Sequence, residues 1–259
     1  MAGGEIAVDS TFLVALLFAT LAGLSTTVGS VIGVFYREPG PKYMAFTLGF
    51  SAGAMILVSF VELLQAGIES LGFIYGHLAF FLGMGLMLLI DISLPHTYIL
   101  EEQHGKDSSN IKLRRASVLV ALGIAIHNFP EGMATFAGTL KDIHVGLALA
   151  VAIAIHNIPE GIAVSVPVYA STGSRRKAFF WSFLSGVSEP VGALIAGLLL
   201  APFLNGSVLG WMLSGVGGFM VFISLDELLP VSHLYGEEHL SIVGAIAGMA
   251  VVALSLAIL

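Results

Sequence analysis

The 259-residue chain is 57% hydrophobic and only 10% charged, with a formal net charge of −7 and no cysteine. Soluble domains carry about 25% charged residues, so this composition excludes an ordinary water-soluble fold, and the acidic balance argues against a nucleic-acid binder. Disulfides and thiolate metal cages are excluded as well, so any metal site must be built from nitrogen and oxygen donors.

Eight apolar runs approach or exceed the roughly 20 residues that cross a bilayer. In chain order they cover about 11–35, 44–66, 72–94, 116–138, 145–170, 178–201, 207–230 and 240–259. The first is preceded by Glu5 and Asp9 and by no Lys or Arg, unlike a cleavable signal peptide. It is therefore expected to remain as a span. Arg37 and Lys42 follow it. The third run ends near Asp91 and leads into the loop 95–115, which holds His96, Glu101, Glu102, His104, Lys106, Lys112, Arg114 and Arg115. The fifth is followed by Arg175, Arg176 and Lys177. These basic loops alternate, so they share one face, and nine of the ten basic residues lie there; Lys141 alone lies opposite. The positive-inside rule makes that face cytoplasmic and places both termini outside, in a multi-pass protein of the cell membrane. The expectation is a single transmembrane domain over 1–259, all-α, with eight helices.

The fourth and fifth runs carry near-copies of one heptapeptide, Ile126-His127-Asn128-Phe129-Pro130-Glu131-Gly132 and Ile155-His156-Asn157-Ile158-Pro159-Glu160-Gly161, 29 residues apart. Because consecutive spans run in opposite senses, this is an inverted repeat. A weaker echo joins Gly53, Met55, Ser59, Glu62, Leu63 and Leu64 of the second run to Gly218, Met220, Ser224, Glu227, Leu228 and Leu229 of the seventh, each pair 165 residues apart. The order predicted is a 3+2+3 bundle, with a site at the midplane where the repeats meet.

Imidazole, amide and carboxylate side chains at membrane depth are costly and point to function. Positions i and i+4 share a helix face, so His127 can converge with Glu131 on one ion, and His156 with Glu160. Asn128 and Asn157 are turned away to serve a neighbouring position or to hold the carboxylates. Pro130 and Pro159 each remove a helical N–H and should bend their helices, and Gly132 and Gly161 permit close helix contact. Glu189, beside Pro190 in the sixth run, falls at the same depth as the two motifs. Imidazole with carboxylate suits zinc first, then iron, manganese, cobalt or cadmium. Three carboxylates could share one or two such ions, carried as substrate rather than held as a cofactor. Glu62, Asp226, Glu227 and Asp91 lie near span ends and can line an entrance or exit as easily as snorkel.

The paired HNFPEG and HNIPEG motifs in adjacent central helices resemble those of the ZIP (Zrt/Irt-like protein) metal transporters, closest in length and motif form to the bacterial zinc-uptake subgroup. The similarity extends over nearly the whole chain. It implies uptake of zinc, and often of other divalent metals, into the cytoplasm through a two-metal centre. Carried over by motif, one metal would take His127, Glu131, His156 and Glu160, and the other Asn128, Asn157, Glu131, Glu160 and Glu189, with Glu131 and Glu160 bridging. Many relatives have a long histidine-rich third loop; here it is short and holds only His96 and His104. Two other functions compete with transport. An intramembrane zinc-dependent hydrolase normally shows His-Glu-x-x-His, a spacing absent from both motifs. A metal-gated channel would conduct far faster than a transporter. The Gly-rich helix faces permit a homodimer without requiring one.

Overall fold

A computed structural model describes residues 10–35, 40–93, 109–200, 203 and 205–258. The described residues form eight long helices and no strand. They are α1 (Ser10–Phe35), α2 (Pro41–Leu71), α3 (Phe73–Ser93), α4 (Ser109–Lys141), α5 (Ile143–Thr172), α6 (Arg175–Ile195, continued by a π-helical turn over Ala196–Leu200), α7 (Gly206–His233) and α8 (Glu238–Ile258). All but α4 are long and apolar enough by themselves to cross a membrane. The protein is thus an all-helical, multi-pass membrane protein. Eight helices were expected and eight are described, but α4 begins at Ser109, inside the segment 95–115 expected as a loop, because the helix continues past its apolar run through the basic residues Lys112, Arg114 and Arg115. His96 and His104 lie outside the described residues.

Local chemistry sets the helix ends. Pro41 opens α2, where its missing N–H is not needed. Gly72, at φ 81°, turns the chain between α2 and α3, and Gly173, at φ 63°, closes α5 in a left-handed conformation that suits glycine. The Asp142 side chain accepts from the backbone N–H of His144 at 2.7 Å, Ser174 from Lys177 at 3.4 Å, and Asn205 from Val208 at 3.0 Å, capping α5, α6 and α7. A single residue, Asp142, separates α4 from α5, so these two helices form a tight antiparallel hairpin.

The helices are inside-out relative to soluble ones. Along α1, Ala15, Ala19, Ala22, Gly23, Thr26, Gly29, Ser30 and Gly33 face inward, while Leu13, Leu17, Leu21 and Val28 face outward. Small inward residues let backbones approach where lipid removes any hydrophobic drive between helices. The packing sorts the helices into two groups: α1, α4, α5 and α6 pack on one another, as do α2, α3, α7 and α8, and α2 against α5 and α7 against α4 form the seam.

Glycine contacts recur in matched sets. A Cβ at Gly53 would strike the carbonyl of Ala245, and one at Gly218 the carbonyl of Phe80. Gly248 meets Phe50 in the same way, and Gly83 meets Gly215. In each set the partner positions are 165 residues apart, the interval of the sequence echo. π-helical turns fall at the same places, Ser59–Leu64 in α2 and Ser224–Leu228 in α7. Ser59 donates to the Met55 carbonyl at 2.7 Å and Ser224 to that of Met220 at 2.8 Å.

Candidate metal centre

The two motifs lie in the middle of α4 and α5, and both helices continue through their prolines. Close approach comes from the motif glycines. A Cβ at Gly132 would land on the carbonyl of Glu189 in α6, and one at Gly161 on the carbonyl of Thr26 in α1. Glycine at these two positions brings α6 and α1 against the motif helices and carries Glu189 to the same level.

All seven expected residues are buried: His127 is 1% exposed, and Asn128, Glu131, His156, Asn157, Glu160 and Glu189 are 0% exposed. Their pairing crosses between helices. His127 Nε2 lies 3.5 Å from Glu160 Oε2, and His156 Nε2 lies 3.4 Å from Glu131 Oε1. Sequence spacing had favoured pairs within one helix, His127 with Glu131 and His156 with Glu160. The antiparallel hairpin instead sets each imidazole opposite the other helix's carboxylate, a relation that helical spacing within either motif does not encode.

The third carboxylate joins through an amide. Asn157 Nδ2 donates to Glu189 Oε1 in a short hydrogen bond, and also to the Ala22 carbonyl at 3.1 Å. Asn128 Nδ2 reaches the Ser185 carbonyl at 3.5 Å. Ser51 adds a contact that no feature of the sequence announces. Its hydroxyl lies 3.3 Å from Glu160 Oε1 and 3.2 Å from the His156 carbonyl, joining α2 to the centre. Position 216, its partner in the α2–α7 echo, is Val216, so the repeat carried no signal for it.

Many polar atoms here are left without a hydrogen bond. Both ring nitrogens of His127 and His156, both carboxylate oxygens of Glu131, Glu160 Oε2, Glu189 Oε2, and the Oδ1 atoms of Asn128 and Asn157 have none. A buried unsatisfied polar group costs about 1–3 kcal/mol, more if charged. Such a concentration of lone pairs suits a cation that takes them as ligands. Among the described residues, no three His, Asp or Glu groups converge tightly enough to enclose one ion as they stand. The donors form crossed pairs, which a doubly charged ion would have to draw inward by small side-chain rotations.

Of the other carboxylates, Glu62 and Glu227 are half-buried in the π turns of α2 and α7, Asp226 is exposed, and Asp91 is buried near the end of α3. None belongs to the crossed pairs.

The ZIP zinc transporter family profile matches residues 94–256. The zinc transporter ZupT of Clostridium perfringens is 46% identical over 271 residues, covering 94% of this chain and 95% of its own. The chain belongs to the ZIP zinc transporter family. The zinc transporter ZupT of Nitratidesulfovibrio vulgaris is 47% identical, with 96% and 98% of the two chains covered. That of Chlorobium chlorochromatii is 48% identical, with 94% and 97% covered. ZIP proteins are transporters and not enzymes, so the hydrolase alternative falls away. The family also fits the resemblance carried by the two heptapeptides.

Proposed function

We propose that this chain carries zinc across the cell membrane into the cytoplasm, binding it in transit between α4, α5 and α6. The observation that carries the reading is the crossed arrangement of His127 with Glu160 and His156 with Glu131, fully buried and rich in unpaired lone pairs. Relatives at 46–48% identity that bear the name zinc transporter support the choice of ion. The nitrogen and oxygen donor set also accepts iron, manganese, cobalt and cadmium. His127, Asn128, Glu131, His156, Asn157, Glu160 and Glu189 supply the ligands. Glu131 and Glu160, each paired with the histidine of the other helix, bridge when two ions are held.

The chain forms one transport unit related to itself by an inverted repeat, with α1–α3 matching α6–α8 around the α4–α5 hairpin. Paired glycine contacts at a 165-residue interval support this reading. Both termini face outward, and metal leaves on the side of the basic loops. Movement of the α1–α4–α5–α6 group against the other four helices exposes the centre to each side in turn.

The test is zinc uptake into liposomes by purified protein. Glu131→Ala should insert normally and lose nearly all uptake, because it removes the carboxylate that faces His156 and one of the two proposed bridging ligands. Uptake by that variant at the parent's rate and expression would refute the reading.

A further inference from the structure

The contacts around the motifs obey a second interval. Gly132 meets the Glu189 carbonyl as Gly161 meets that of Thr26; Gly192 meets Phe129 as Gly29 meets Ile158. The Asn128 amide donates to Ser185 as the Asn157 amide donates to Ala22. Whenever the motif residue shifts by 29, its partner shifts by 163 between α1 and α6. Under that rule position 26 of α1 corresponds to position 189 of α6.

Side-chain placement agrees. Gly23 and Gly186 face each other across the α1–α6 contact. A Cβ built on Gly23 would lie 3.2 Å from the Cβ of Glu189, and one built on Gly186 would lie 3.2 Å from the Cβ of Thr26. Thr26 is 0% exposed, and its hydroxyl has no hydrogen-bond partner. A threonine inside a helix ordinarily bonds the carbonyl four residues back. For Thr26 that acceptor is Ala22, which already receives the Ser25 hydroxyl at 2.6 Å and the Asn157 amide at 3.1 Å. Glu189 reaches the asparagine of α5, and the counterpart position beside Thr26 belongs to Asn128, whose Oδ1 is also unpartnered.

We propose that Thr26 is the uncharged counterpart of Glu189, a neutral oxygen donor on the α1 side of the centre that sets how many divalent ions the centre retains. This rests on the metal centre proposed above. Glu131, Glu160 and Glu189 supply three negative charges, which over-compensate one divalent ion and under-compensate two. A fourth carboxylate at position 26 would neutralise two ions in full. The hydroxyl therefore keeps a doubly loaded centre one charge short and favours the departure of an ion, as transport requires.

Thr26→Glu should retain two zinc ions per chain after desalting where the parent retains fewer, and its uptake should fall by at least about tenfold, the scale on which changes around metal ligands act. The exchange Thr26→Glu with Glu189→Thr should return retention to the parent's level. Should the glutamate fail to fit, Thr26→Cys is close to isosteric and carries the test. The chain has no other cysteine, so a cadmium–thiolate absorption band could come only from that sulfur, and excess zinc should abolish it. A folded Thr26→Cys protein without such a band, or Thr26→Glu with the parent's retention, overturns the proposal. Glu131→Ala in the same retention assay separates the two readings. Zinc retention lost in that variant, with no band at Cys, removes the role of Thr26 alone. Zinc retention unchanged in it removes the centre and this inference together.

Discussion

At the scale of residues, the decisive feature is that the histidines are held by the other helix's glutamates. Each imidazole has a carboxylate 3.4–3.5 Å away, too far for a good hydrogen bond and near enough for one cation to bridge both. Ser51 brings a hydroxyl from α2 to this set. It orients Glu160 and holds the His156 backbone, so in the proposed centre it acts by positioning a ligand. Ser51→Ala should weaken zinc binding by about tenfold, the lower end of the cost of losing a supporting hydrogen bond to a metal ligand. Isothermal titration with zinc checks this, and an unchanged affinity would remove Ser51 from the account. That the two motifs would be buried together was legible in the sequence, because a polar heptapeptide repeated inside apolar runs has few structural explanations. Their partners were not. Which carboxylate faces which imidazole depends on the antiparallel offset of two helices, which neither motif encodes.

At the scale of elements, glycine decides how closely the helices pass. Gly132 and Gly161 are pressed on the Glu189 and Thr26 backbones, and nothing flexible stands there to move aside. Overpacking typically costs about 1–3 kcal/mol, and a rigid backbone obstacle puts these sites at the top of that range. Gly161→Leu should therefore lower the thermal midpoint in detergent by several degrees and misplace the centre, with zinc uptake lost together with stability. A Gly161→Leu protein as stable as its parent would mean that α1 and α5 are not in such close contact. The sequence did announce these glycines by their place in the motifs. It did not announce the π turns of α2 and α7, although the echo of Ser59 to Leu64 with Ser224 to Leu229 fell on the same residues. Residue identity repeated at a fixed interval reveals equivalence and not geometry.

At the scale of the whole molecule, the proposed transport cycle has the two helix groups separate on one side at a time. The end of the seam opposite the basic loops is strapped by Lys141, the last residue of α4, whose ammonium donates to the Ala66 carbonyl at 3.0 Å and pairs with Glu69 Oε2 at 3.0 Å, both on α2. Lys141 is 23% exposed and Glu69 59% exposed, so the ion pair contributes only about 0.2–1 kcal/mol. Lys141→Gln should loosen that end of the seam accordingly. A cysteine placed at Ser51 should react with a membrane-impermeant thiol reagent from outside up to about fivefold faster in the Lys141→Gln background. Equal rates would show that the strap does not restrain opening. Composition and the basic loops foretold the number and order of helices, because hydrocarbon thickness imposes span length. The sorting into two groups was not legible, since it depends on which small-residue faces meet and not on hydropathy.

The most direct measurement is anomalous diffraction at the zinc edge from crystals of the zinc-loaded protein. The account predicts a peak between α4 and α5 within bonding distance of Glu131 and Glu160, joined by at least one of His127 and His156, and lost in Glu131→Ala. A zinc peak seated elsewhere, with those four side chains still paired only with one another, would contradict it.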